Sequence, residues 1–309
     1  MVSNLDAGRF EARDRETVNA GATDIVTSVE ITPGVNAGLT MPRWKRFRRR
    51  VKSTYFRVPG LYRLYLTLKF GAARMPPLGR PELPNAVLES AAQVREATEF
   101  GKRYHLPRHR AAEKNWDHQA AVRAILSSTT PTACVLDAGA EMYSNVLPAL
   151  FACGYRRLWG MNLSFADPAR RGAIRYLRGD IAGTGFSDGF FDAVACMSVI
   201  EHGVPLRAYF AEMHRVLKPG GLLITSTDYY PDPVDTAGKE AYGVPIKIFC
   251  RREAEEMLAL ARECGFELTG AVDLDPPGLR GKARPIRWEK YGLEFTYLIF
   301  TLRKPAKVA

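Results

Sequence analysis

From Ala133 onward, short apolar runs alternate with amphipathic stretches. "ACVLDAG" is a compact run of β-branched and apolar residues and predicts a strand. "SNVLPALFACG" predicts a helix stopped by Gly154. "RRLWGMNLS" is a second strand, joined to "IRYLRGD" by only a short, Pro-containing connection. "FFDAVACMSVIEHG" holds a fourth strand. "RAYFAEMHRVLKPGG" predicts a helix ended at Pro219-Gly220, and "LLITSTDYY" a fifth strand. A helix over 251–264 stops at Gly265, and "FELTGAVDL" and "LEFTYLIFTLRK" supply two last strands.

Strand–helix alternation closed by a strand pair predicts an α/β fold: a seven-stranded Rossmann-like sheet, mostly parallel with an antiparallel edge strand, helices on both faces, plus an N-terminal extension. Such sheets take ligands at the carboxyl ends of their strands, near the point where strand order reverses. That rule selects Asp137, Asn162, Asp180 and the Ser198–His202 stretch.

Upstream, residues 1–40 are polar and aperiodic and read as a disordered tail. Residues 41–82 form an arm of interleaved basic and aromatic residues, split by Pro59-Gly60. The remaining residues, 83–309, read as one α/β domain with N-terminal helices. After Pro84, Val87, Ala91, Val94 and Thr98 have helical spacing, and a second helix is expected over 113–126.

The 309 residues are 46% hydrophobic, enough for one large core, and no apolar run reaches the about 18 residues of a membrane span. The first residues include acidic ones and no apolar core, so no secretory signal is expected. Five cysteines without a C-x-x-C pair suggest free thiols in a reducing compartment, with the cytoplasm as default.

Charge changes the picture more. The net +11 is concentrated in one segment. Between Thr32 and Pro81 lie Arg43, Lys45, Arg46, Arg48, Arg49, Arg50, Lys52, Arg57, Arg63, Lys69, Arg74 and Arg80, and no acidic residue.

"VLDAG", "RGD", "FFDAVACMSVIEH" and "HRVLKPGG", in this order and spacing, resemble the class I S-adenosylmethionine-dependent methyltransferases over roughly residues 116–304. The resemblance implies S-adenosyl-L-methionine as cofactor. It would be held by Asp137, Ala138 and Gly139 in the first loop, by Asn162 at the ribose, by Asp180 and Ile181 at the adenine, and by Ser198 beneath it. The residues agree with this on physical grounds: Gly139 permits close backbone approach, and a carboxylate such as Asp180 accepts from an exocyclic amine. Two departures stand out. Where the family commonly has G-x-G-x-G, this chain has Gly139-Ala140-Glu141-Met142-Tyr143, and Asn162 replaces a usual acidic residue. Either Glu141 and Tyr143 take up contacts the glycines left to backbone, or the fold has lost its cofactor.

His202, at the mouth of the site, is the candidate general base, against the alternative that Glu201-His202 only ties down the loop. Some quinone-type relatives in the family that the chain resembles use a carboxylate-rich version of this stretch to hold a divalent metal. Ser198 stands where a further carboxylate would be needed, so no metal site is expected. Asp228, Tyr229 and Tyr230 follow the fifth strand and face the acceptor side in this architecture; residues 231–249 then read as a lid. Tyr and Asp suit a polar ring such as a sugar, so the expected partner is a small-molecule or saccharide acceptor, free or lipid-linked. His105, His109, His118 and His214 read as surface or packing residues, and Arg170, Arg171, Arg175 and Arg178 as solvated charges.

The arm keeps three readings open: an anchor on an anionic membrane surface through residues 41–80, a segment packed on the domain, or an RNA-binding arm. Nucleic acid is disfavoured, because "LYRLYLTLKF" is apolar enough to need cover. The competing functions are a non-catalytic Rossmann-like protein recruiting a partner through its arm, and an RNA methyltransferase. Cytoplasmic location, peripheral on the inner membrane surface under the anchor reading, follows.

Overall fold

Cys134–Ala138 is buried at every position, as a central strand covered on both faces must be. The computed structural model describes residues 26–27, 54–241, 243–280 and 284–306. In chain order the strands are β1 (Val26–Thr27), β2 (Ala86–Val87), β3 (Cys134–Ala138), β4 (Arg157–Asn162), β5 (Ala169–Arg171), β6 (Ile174–Arg178), β7 (Phe191–Met197), β8 (Leu217–Tyr229), β9 (Glu240–Ala241), β10 (Val244–Pro245), β11 (Glu267–Leu268), β12 (Ile286–Trp288) and β13 (Leu293–Arg303). The helices are α1 (Pro59–Phe70), α2 (Ala91–Arg103), α3 (Lys114–Ser128), α4 (Val146–Ala152), α5 (Leu206–Val216) and α6 (Arg251–Glu263).

The main sheet runs β12-β13-β8-β7-β3-β4-β6-β5. β6, β4, β3, β7 and β8 are parallel, while β13 inserts antiparallel beside β8. Strand order reverses between β3 and β7, so their carboxyl ends flank the crevice where such folds bind ligands. Alternate strand residues feed two cores. Val135, Ala193 and Ile224 pack with Ile125, Leu150 and Phe151 of α3 and α4. Leu136, Val194 and Leu223 pack with Phe210 and Met213 of α5 and Met257 of α6.

Three elements differ from the sequence reading. The helix expected after Pro84 begins only at Ala91, where Ser90 and Gln93 form a capping box. Ala86 and Val87 are instead a strand on β13, because pairing with an open sheet edge outweighs local helix propensity. α5 ends at Val216, and Pro219-Gly220 lies within β8, where the Lys304 amide donates to the Gly221 carbonyl. "FELTGAVDL" gives only the two-residue β11, since β2 and β12 take the rest of the same edge of β13.

Of the tail at 1–40, only Val26–Thr27 falls within the described residues, as β1 paired to β12. The first part of the arm, 41–53, lies outside them. The second part carries α1, which packs on the domain: Tyr62 stands 5.4 Å from the Phe151 ring, and the Gly172 amide donates to the Phe56 carbonyl at 2.6 Å. Burial pushes the Tyr62 phenol up to about 12, with Arg171 opposing.

Candidate active site

The first loop begins at Asp137, which is buried, and its Oδ2 has no hydrogen-bond partner among the described residues. Burial, aided by Glu141, raises its pKa to about 7. Gly139 turns the chain at φ +86°, and a Cβ there would stand 2.3 Å from Val199 Cγ2. The close approach that demands glycine is therefore made by Val199 of the β7 loop.

Glu141 and Tyr143 do not occupy glycine conformations. Among the described non-glycine residues only His105 and Ser198 have positive φ. The loop takes its own path, closed by the Ser144 amide on the Glu141 carbonyl and by the Glu141 amide on Ser144 Oγ, both at 3.0 Å. This path carries the Glu141 carboxylate to the tip of β4, where Oε1 accepts from Asn162 Nδ2 at 3.4 Å and Ser164 Oγ at 3.3 Å. Asn162 also donates to the Gly139 carbonyl and accepts from the Ser164 amide. Tyr143 turns the other way, its ring 5.6 Å from His109.

At the end of β6, Asp180 is exposed and Oδ1 accepts from the Ala182 amide at 2.8 Å; Ile181 beside it is buried. Ala138 is fully buried in the strand. Ser198, at φ +52°, hangs between β7 and β8, its amide donating to the carbonyl and hydroxyl oxygens of Ser226.

Ser198 leads into a buried ionic cluster that sequence reasoning missed. Lys114 Nζ donates to Ser198 Oγ at 2.7 Å and lies 4.0 Å from the Tyr297 ring centroid. Asp117, one helical turn on, accepts from Ser226 Oγ at 2.6 Å. Glu201 accepts from Thr227 Oγ1 at 3.0 Å, and Asp228 is buried nearby. Burial opposes the Lys114 ammonium, but Tyr297, Asp228, Asp117 and Glu201 together hold its pKa well above the ordinary value. Burial lifts both Glu201 and Asp228 to about 7, against the pull of Lys114. His202 adjoins the cluster; burial lowers its pKa, with Asp228 opposing, so the imidazole is neutral near pH 7. Nothing in the run "EKNWDHQ" marks Lys114 and Asp117 as site residues, because only the packing of α3 across the sheet brings them to β7 and β8.

The structure separates the three residues read as facing the acceptor. Asp228 joins the cluster, and Tyr230 lies half-buried under the Arg284 guanidinium, 3.7 Å from its ring centroid. Tyr229 points to the opposite face, buried with its hydroxyl donating to the Leu274 carbonyl, so it does not reach the cluster. The segment read as a lid is anchored: Ala241, Ile246 and Ile248 pack with Trp288, Phe295 and Tyr297. His109 and His118 stack edge to face at 5.4 Å, and burial takes both to about 3. The arginines read as solvated are partly tied down: Arg171 donates to the Met142 carbonyl at 2.5 Å, and Arg175 covers the Trp159 ring. A concavity lined by Arg63, Thr67, His105 and Ala152 shares none of these site residues. No helix among the described residues is long and apolar enough to cross a membrane.

The sheet is doubly wound, and its polar groups gather at the switch point, the place where such folds take their ligands. Residues 138–225 match the family model described as a methyltransferase domain. The chain is 31% identical over 110 residues to sterol 24-C-methyltransferase of Candida albicans, covering 33% of this chain and 28% of that protein. A sterol 24-C-methyltransferase of Neurospora crassa is 29% identical over 109 residues, with 33% and 29% covered. The chain thus spans under a third of the length of the curated relatives it matches. Among solved structures, a 1,6-didemethyltoxoflavin N1-methyltransferase of Burkholderia thailandensis is 17% identical, covers 90% of this chain and 99% of that one, and has a TM-score of 0.40.

Proposed function

We propose that the protein is an S-adenosyl-L-methionine-dependent methyltransferase acting on a small-molecule acceptor. The observation that carries this reading is the pairing of two carboxylates around the first loop. Asp137 is buried with one oxygen lacking a partner, and Glu141 is delivered to the tip of β4, where the family usually has its own acidic residue. These groups fit the cofactor: Glu141 with Asn162 would hold the ribose hydroxyls, Asp180 the adenine amine with Ile181 on the ring face, and Ser198 the floor. When bound, the cofactor supplies an electrophilic methyl group. The chain's own task is to align an acceptor and remove its proton. Neutral His202, with Asp228 and Glu201 beside it, is suited to that removal, and Lys114 keeps the carboxyls from both remaining protonated.

For the acceptor, O-methylation of a saccharide, free or lipid-linked, is supported by Asp228 and Tyr230 on the same side of β8. A second reading, an apolar lipid acceptor, is favoured by the aromatic and aliphatic wall of Ile246, Ile248, Trp288 and Phe295 above it. Calorimetric titration with S-adenosylhomocysteine tests the core of the proposal. Micromolar binding is expected, weakened about 10- to 100-fold by Glu141→Gln or Asp180→Ala, the worth of one charge-assisted hydrogen bond. No binding by a folded sample would overturn it and leave the non-catalytic reading.

A further inference from the structure

α1 has two apolar faces, and the domain covers only one. Tyr62 and Leu66 are buried on it, with Phe56 just before it. On the opposite side, Leu61, Leu64 and Leu68 are 39%, 53% and 80% exposed, and Tyr55 before the helix is 57% exposed. The i, i+3, i+7 spacing stacks the three leucines into one outward stripe. Arg63 and Lys69 are exposed on its two flanks, and Arg57 and Arg74 are exposed near its ends. Soluble surfaces seldom line up large side chains this way without a partner.

We infer that this stripe is a docking surface for an anionic lipid bilayer. Charge selects the occupant. The helix lies within the segment from Thr32 to Pro81, which holds twelve lysines and arginines and no acidic residue. An apolar face edged by cations suits an interface where leucines enter the acyl boundary and basic groups meet phosphates. A second copy of this chain would bring a like-charged segment against the first and is disfavoured by repulsion. Tyr62 on Phe151, and the Gly172 amide on the Phe56 carbonyl, hold the helix rigidly on the domain, so docking would orient the whole molecule on the membrane.

The inference stands apart from the cofactor reading, because vesicle binding needs no methyl transfer. The test is co-sedimentation of the full chain with phosphatidylcholine vesicles, with and without about 30 mol% phosphatidylglycerol, beside a Leu61→Glu/Leu64→Glu/Leu68→Glu variant and an Arg63→Glu/Lys69→Glu variant. Binding to the anionic vesicles is expected, falling at least ten-fold in each variant and much reduced on neutral vesicles. The substituted side chains are exposed, so an unchanged melting temperature serves as the folding control. Absence of vesicle binding by the wild-type chain would overturn the inference. So would binding that survives the leucine variant, or a wild-type dimer that this variant disperses while vesicles are ignored.

Discussion

Lys114 faces three buried carboxyls, Asp117, Glu201 and Asp228, and Lys114→Met removes its charge while keeping most of its length. Removing one partner of a buried ion pair costs about 3–5 kcal/mol. At about 2–4 °C per kcal/mol for a chain of this size, the melting temperature should fall by about 10 °C at about pH 8. The loss should depend on pH in a definite direction. Glu201 and Asp228 have folded-state pKa values of about 7, raised by burial from ordinary values of 4.5 and 3.8. Between roughly pH 4 and 7 the folded state therefore keeps protons the unfolded chain has released, and stability falls as pH rises through that window. Lys114 limits the fall; without it both carboxyls shift further up and the window extends above 7. Near pH 5.5 the carboxyls of the variant are protonated, and about 1 kcal/mol of lost hydrogen bonding remains, or about 3 °C. Differential scanning calorimetry of both proteins at the two pH values, at constant ionic strength, measures this. Equal losses at both pH values, or none at pH 8, would refute the assignment of Lys114 as counter-charge.

Two further outcomes follow from local geometry. Gly139→Ala places a Cβ at φ +86° and 2.3 Å from Val199 Cγ2, so urea denaturation should show a loss of about 2–4 kcal/mol; a neutral result would mean that Val199 moves freely. Brief alkylation of the native protein followed by mass spectrometry should label Cys264 first, then Cys153, whose thiol burial pushes up to about 11. Cys134, Cys196 and Cys250 are buried and should react only on unfolding; early labelling of Cys196 would contradict its place at the centre of β7.

The periodicity from Ala133 onward determined the order of the main strands and helices, because the centres of β3, β7, β8 and β13 are apolar enough to require burial. It also placed the strand ends, and with them Asp137, Asn162, Asp180 and Ser198. The strand at Ala86–Val87 was illegible, since its conformation comes from the free edge of a strand more than two hundred residues later. The path of the loop at Glu141 could not be read from the sequence, and the Ser144 turn sets it. Lys114 and Asp117 could not be assigned at all: a charge on a helix acquires meaning only from what the helix packs against. The same holds for α1, where one run of leucines and tyrosines splits into a buried and an exposed face only when the domain covers one side. Local patterns report which residues must leave water; which partners they find there is settled by long-range packing, and that lies beyond any window along the chain.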